Sequence, residues 1–401
     1  MADKTALAES SQALFCSIAD YLGTDGVSKS LDLETYPTYI EFKSKNVKLV
    51  EDSFKRTLTP GVTLKDMETF LIANRDWYKS SVLIASKLIK EINKIDSDYK
   101  IKMKGYQNLY YFRGDEPIMG NIQKLFTIAN KAPITKEKQA SFGNINKWSP
   151  ADIYLASEAA HVAIAKELQI AKPGSYNFTN LNLLTANLID SGDLLPLSLK
   201  KTTSDVELVK VNFNRQDELE YLNGISFSSL SEWKPYKVVE FPTKGATRDI
   251  RIFLNNDGEV KLRHDPSAKR FVIEFIGGGA EARGGSIGSM KIFCELLGFV
   301  DSTFAKKLLS EYIAGEKEYF KQMKPIDQMR PAMDKVHKNL FDHKRGEISA
   351  INIINRVMPM VQKWFSRKDK ASVEEINNFI RIMFEYVTSR TENSGRFVIA
   401  K

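Results

Sequence analysis

Cysteine is nearly missing from the 401 residues: Cys16 and Cys294 stand alone and far apart. Two such residues make neither a disulfide framework nor a zinc ligand set, so a small secreted scaffold is excluded and a reducing compartment is expected. Histidine is almost as scarce, with His161, His264, His337 and His343 scattered and no pair at the i, i+4 spacing of a helical metal site. No apolar run approaches the roughly 18 residues a membrane span needs, and the mean hydropathy is −0.30. The opening Met1-Ala-Asp-Lys4 lacks the basic-then-apolar layout of a signal peptide, which predicts a cytoplasmic protein. Hydrolase triads find no support either, because there is no Gly-x-Ser-x-Gly elbow and no histidine beside either cysteine in sequence.

What is present is 43% hydrophobic and 27% charged residues with a net charge of +8, the balance of a globular chain long enough for two or three domains. The charge is uneven. Residues 1–100 carry 14 basic and 15 acidic groups, residues 101–200 carry 11 and 8, and residues 201–300 carry 14 of each. The last 101 residues carry 19 against 13, so most of the excess lies there. A basic region beside a neutral body suits a polyanion, since each phosphate neutralised releases counterions. It equally suits an ordinary solvated surface.

Apolar spacing predicts a helix through the first residues, ended by Gly23 and Gly26, and a strand at Tyr36–Lys43 from its alternation. A helical stretch follows over 63–95, opened by the capping pair Thr63 and Asp66, and another over 117–130. Short strands are expected at 152–156, 194–201 and 206–213, the last two joined by a polar turn, with a helix over 180–189. A β-meander is read at 248–254, 260–263 and 270–276, turning at Asn256-Asp257-Gly258. A glycine-rich loop at 277–288 leads into a helix ending near Leu297. From Ser302 the chain reads as helical throughout, broken near Pro325, Pro331 and Pro359. The implied division is a helical or mixed region at 1–140, an α/β core at 141–300 and a basic helical region at 301–401.

The sharpest chemical feature is Lys147-Trp-Ser-Pro-Ala-Asp152-Ile-Tyr-Leu, followed by Leu195-Pro-Leu-Ser198-Leu-Lys200-Lys201. Each sets a polar group in or beside a strand that otherwise reads as buried, which costs free energy unless the group is paired, coordinated or at an edge. Alternation puts Ser198 and Lys200 on one face, and neighbouring strands would let Asp152, Ser198 and Lys200 converge. A strand-borne Asp, a helix and then a strand with an acid-x-Lys triplet resembles the PD-(D/E)xK superfamily of restriction-endonuclease-like nucleases. The resemblance implies an α+β fold with a mixed central sheet of that type, flanked by helical amino- and carboxy-terminal regions.

It also implies Mg²⁺- or Mn²⁺-dependent cleavage of DNA. Asp152 would hold the metal, Ser198 would stand at the acid position and Lys200 would be the motif lysine. The carbonyl of Leu199 would be a further ligand. Two departures are visible: Ala151 separates Pro150 from Asp152, and Ser198 replaces a carboxylate. A carboxylate recruited from elsewhere, Glu158 or Glu116, would restore the missing ligand. The Trp-x-Pro-Ala-Asp-Ile and Ser-Leu-Lys-Lys segments also resemble a phage-protein pattern, which would place the protein in host cytoplasm.

The nuclease reading needs a lobe to hold the backbone. Arg283 in the glycine-rich loop, and Lys344, Arg345, Lys363, Arg367 and Lys368 near Trp364 and Phe365, are the candidates. That loop is no P-loop, because no Gly-Lys-Ser/Thr closes it. Tyr106, Tyr110, Tyr111 and Phe112 could stack on bases but are read as packing inside. Glu41-Phe-Lys43 is read as an exposed strand face, and Glu274 as an acid without a lysine partner. The alternative to a nuclease is a non-catalytic phage structural or nucleic-acid-binding protein that keeps the fold. A subunit acting only in an assembly is a third possibility.

Overall fold

The computed structural model describes residues 3–23, 26–31, 35–91, 103–104, 109–113, 117–132, 142–232, 250–255, 257–265, 270–276 and 287–401. The chain is mixed α+β and forms two compact units whose boundaries differ from cuts at 140 and 300. The first unit comprises residues 1–137, 144–215 and 392–401, and the second comprises 138–143 and 216–391. The second unit is therefore an insertion within the first. No described helix is long and apolar enough to cross a membrane.

In the first unit, α1 (Lys4–Leu22) starts at Asp3, whose carboxylate caps the Ala6 N–H at 2.6 Å, and stops at Gly23, where φ is +78°. Its Ala and Ser residues are buried nearly all round, so it runs through the helical layer rather than over it. Around it pack α2 (Gly26–Ser30), α3 (Tyr36–Lys45), α4 (Val47–Arg56), α5 (Leu64–Ala73) and α6 (Arg75–Glu91). The capping box of Thr63 and Asp66 forms as expected.

The strand expected at 36–43 is instead α3. Tyr36, Tyr39 and Phe42 are the buried residues, a helical i, i+3 spacing, whereas Ile40, which alternation would bury, is 46% exposed. Pro37 suits the first turn of a helix, and Tyr36, Tyr39, Tyr78 and Phe15 form one aromatic cluster. Glu41-Phe-Lys43 accordingly lies on a helix, with Lys43 2.6 Å from Glu68 and Glu41 2.6 Å from Lys45.

The six-stranded sheet of this unit contains β1 (Thr57–Leu58), β2 (Leu109–Arg113), β3 (Ile153–Ser157), β4 (Leu194–Leu199), β5 (Leu208–Val211) and β10 (Phe397–Ala400). Its order is β1-β2-β3-β4-β10-β5, with β1–β2 and β4–β10 parallel and the other pairs antiparallel. Every residue of β3 is buried, so both faces are covered at that point. Cover comes in part from α7 (Pro117–Asn130), α9 (Glu158–Ile170) and α10 (Phe178–Asp190); α8 is the single turn Ile145–Trp148.

The expected turn between 194–201 and 206–213 does not make a hairpin. β10 lies between β4 and β5, and Val398 faces Leu197 on one side and Lys210 on the other. Trp148 secures the return: its indole donates to Asn182 at 2.8 Å, and its carbonyl accepts from Gly395 N–H at 2.9 Å.

The second unit holds α11 (Arg215–Asn223, its first residue still in the first unit) and an antiparallel meander of β6 (Phe227–Leu230), β7 (Ile250–Leu254), β8 (Glu259–Asp265) and β9 (Arg270–Ile276). Burial alternates along β7, as a sheet with one covered face requires. Helices α12 (Met290–Gly298), α13 (Ser302–Asp327), α14 (Lys335–Phe365) and α15 (Lys370–Val387) complete it around Phe271, Phe293, Trp364, Phe365 and Phe379. Pro325 and Pro359 lie inside helices rather than ending them. Only the break near Pro331 is a real interruption, a 3₁₀ turn at Arg330–Ala332.

Candidate functional site

The ends of β3 and β4 carry the polar residues that stand out in the sequence. Asp152 lies one residue before β3, and its N–H donates to Leu197 O at 2.9 Å, extending the antiparallel ladder. Its Oδ2 accepts from Leu199 N–H at 2.5 Å and from the Ser198 hydroxyl at 3.3 Å. The carboxylate thus fastens the start of β3 to the end of β4. Ser198 is buried, whereas Lys200 is exposed and its N–H is bound to Ala400 O at 2.8 Å.

Burial pushes the Asp152 carboxyl above the ordinary range. The Leu199 bond, the Lys200 charge and the Ser198 hydroxyl oppose that rise without cancelling it.

Asp152, Ser198, Leu199 and Lys200 are therefore brought to one corner. Glu158 is not. It is exposed in the first turn of α9, six residues further on and at the opposite end of β3, roughly 20 Å away at the rise of a strand. Glu116 lies outside the described residues. Among the described residues no group of three His, Cys, Asp or Glu side chains could hold a metal ion. A single carboxylate with one oxygen already engaged does not match the anionic ligand set that the resemblance implies for Mg²⁺ or Mn²⁺.

A second corner, unmarked by any motif, mirrors the first. Asp193 precedes β4 as Asp152 precedes β3, and its carbonyl accepts from Ser157 N–H at 2.8 Å at the end of β3. Asp193 is 6% exposed, and its carboxylate accepts from the hydroxyls of Ser157 and, at 2.7 Å, Ser191, and lies 2.8 Å from Lys104 Nζ. Burial alone would raise this carboxyl, but Lys104 and the two hydroxyls outweigh it and hold the group below the ordinary range. The available signal was local: an Asp immediately before each apolar strand, Asp152-Ile-Tyr-Leu and Asp193-Leu-Leu.

Of the expected nucleic-acid residues, Lys363, Arg367 and Lys368 lie at or just beyond the end of α14. Arg283, like residues 277–286 generally, lies outside the described residues; Lys344 and Arg345 sit on α14, their side chains outside the described portion. Arg367 stacks on Trp364 at 4.3 Å, donates to the Trp364 carbonyl and pairs with Glu375 at 2.9 Å, so its guanidinium holds the α14–α15 corner. Lys363 and Lys368 are exposed. Nearby charges are balanced internally: Arg356 reaches Glu311 and Glu318, and His337 bonds Asp334. Glu274 pairs with an arginine rather than a lysine, Arg263 at 3.2 Å. Tyr111 and Phe112 are buried, Tyr110 is half-buried, and Tyr106 lies outside the described residues.

Fold and corners together define a mixed α+β protein with an inserted second unit and a sheet latched at both ends by carboxylates. No family model, curated protein or solved structure matches the chain.

Proposed function

We propose that the protein binds DNA without cleaving it. The observation behind this reading is the corner at Asp152, where the carboxylate closes a strand pair through Leu199 and Ser198, and no metal-holding group of three His, Cys, Asp or Glu side chains forms among the described residues. The positive balance of residues 301–401, with Lys363 and Lys368 exposed, supports a phosphate-bearing partner. In this reading Ser198 replaces the acid of a nuclease triplet because its hydroxyl completes the latch.

One observation favours a second reading, metal-dependent phosphodiester cleavage at Asp152 and Lys200. Asp152 Oδ1 accepts no hydrogen bond among the described residues and shares its corner with the exposed Lys200. One experiment separates the two. The protein is mixed with single-stranded and plasmid DNA in Mg²⁺ or Mn²⁺, beside Asp152→Ala and Lys200→Ala. The expected result is retention that weakens with salt and no cleavage by any form. Cleavage lost in both variants replaces this proposal with the second reading, and neither retention nor cleavage overturns both.

A further inference from the structure

An open groove of about 1060 Å³ lies in the first unit between the end of α1, the α3–α4 junction and β2. Of its eleven lining residues four are cations, Lys45, Lys48, Lys55 and Arg56, and one, Asp52, is an acid. We infer that this groove binds an oligophosphate, a compact ligand of two or more linked phosphate groups. The inference goes beyond the DNA-binding reading and does not depend on it.

Charge sets the class of ligand. A cleft lined mainly by one sign of charge, with walls of low dielectric, focuses its field inward, so a multivalent anion is drawn in and a cation is repelled. The one acid is already engaged, since Asp52 lies 3.2 Å from Lys55. Lys48 is exposed and has no acidic partner among the described residues. Lys45 and Lys55 hold Glu41 and Asp52 in exposed i, i+4 and i, i+3 contacts. Such contacts are weak and screened, so a ligand anion competes with them. Arg56 has a fixed place in the wall: it donates to Leu109 O at 3.0 Å and lies 5.5 Å over the Tyr110 ring.

Spacing sets the number of phosphates. Lys48 and Lys55 stand seven residues apart on α4, on one face and about 10 Å apart along its axis. A single phosphate holding both would draw two ammonium groups together, whereas linked phosphates spread along the helix meet each in turn. Lysine serves phosphate as a point charge. A phosphate monoester carries about 1.5–2 negative charges against one for a carboxylate, which favours phosphates over a polycarboxylate in this groove.

The test is calorimetric titration of the full chain with tripolyphosphate at about 50 and about 200 mM salt. Lys48→Ala/Lys55→Ala, Asp52→Asn and Lys363→Ala/Lys368→Ala are titrated beside it. The parent is expected to bind, more weakly at the higher salt. Lys48→Ala/Lys55→Ala should weaken binding about tenfold, the modest share that solvent screening leaves to two exposed lysines. Asp52→Asn releases Lys55 and should tighten binding about threefold, a gain that loss of folding does not produce. Lys363→Ala/Lys368→Ala should leave the affinity unchanged.

No binding by the parent overturns the inference, and so does binding that Lys48→Ala/Lys55→Ala and Asp52→Asn leave unaltered. Inorganic phosphate or citrate binding as tightly as tripolyphosphate overturns the assignment to linked phosphates. Tighter binding of oligo-dT at equal phosphate, weakened by the same lysine pair, moves the phosphates to a nucleic-acid backbone and overturns the compact ligand. Tripolyphosphate binding by a chain that retains no DNA upholds the groove and removes the DNA-binding reading.

Discussion

Asp193→Asn isolates what a buried carboxylate does for the β3–β4 pair. Three donors converge on Asp193, from Ser157, Ser191 and Lys104. Hydrogen bonds to a charged acceptor contribute about 1.5–3 kcal/mol each, but they are not independent. Lys104 is 45% exposed, so water takes over much of its share once the charge is gone. The amide keeps one acceptor and turns an NH₂ towards groups that are themselves donors. The expected loss is about 2–3 kcal/mol, below the 3–5 kcal/mol typical of a fully buried pair because Lys104 can relax into solvent.

Urea titration at neutral pH measures this loss, with hydrogen exchange at the amides of 153–157, 194–195 and 197–199 reporting whether it is local. The pH profile supplies a second check. The folded carboxyl lies below its unfolded value of about 3.9, so its stabilisation is present above that value and disappears as pH falls through the folded one. The gap between parent and variant should therefore close in acid. A loss under about 0.5 kcal/mol at pH 7, or a gap that persists in acid, would refute the account of Asp193 as a charged latch.

Three further outcomes are expected. Asp152→Asn should reverse that pH trend: the parent's folded carboxyl is raised, so the parent loses stability relative to the variant as pH climbs through and above about 4, measurable by the same titrations. Deleting residues 397–401 removes a strand paired on both sides, with Phe397, Val398 and Ala400 buried, and should abolish the cooperative unfolding of the first unit seen by calorimetry. Lys147, pushed down to about 8 by burial, should acylate at pH 8 faster than Lys200, as read by peptide mass spectrometry. Its folded value lies below the unfolded one of about 10.4, so stability should rise between pH 8 and 10.

Local pattern carried much of the fold. The helices at 4–22, 117–130 and 178–190, the short strand at 153–157 and the meander at 250–276 are all legible from spacing and turn residues, whereas the single helical stretch expected over 63–95 is two helices, 64–73 and 75–91, parted at Asn74. Reading failed where two periods fit one segment. Tyr36–Lys43 alternates, yet it also places aromatics three apart, and the second pattern wins because Phe15 and Tyr78 wait on that face. It failed again at 397–400, where four residues after a long helical stretch become an inner strand. Their partners, Leu197–Leu199 and Leu208–Val211, are nearly two hundred positions away, and no local signal encodes that return.

The polar residues teach a related lesson. Expecting Asp152, Ser198 and Lys200 to converge needed only that β3 and β4 be neighbours, and Ile153 does face Leu197. Meeting, however, does not specify purpose. A buried acid at a strand end is costly, and the cost can be offset by a metal or by the backbone donors that the neighbouring strand already presents. Asp193 has the same placement at the other end of the same ladder, with no lysine triplet to suggest chemistry, and it fastens its strand through the hydroxyls of Ser157 and Ser191 and the ammonium of Lys104 rather than through a backbone N–H. One arrangement occurring at both ends of a strand pair is what a structural requirement produces, because antiparallel pairing presents the same need twice. A catalytic requirement would single out one end. At the Asp152 end the distinguishing feature is Oδ1, which accepts no hydrogen bond among the described residues, so that is where the cleavage assay has to look.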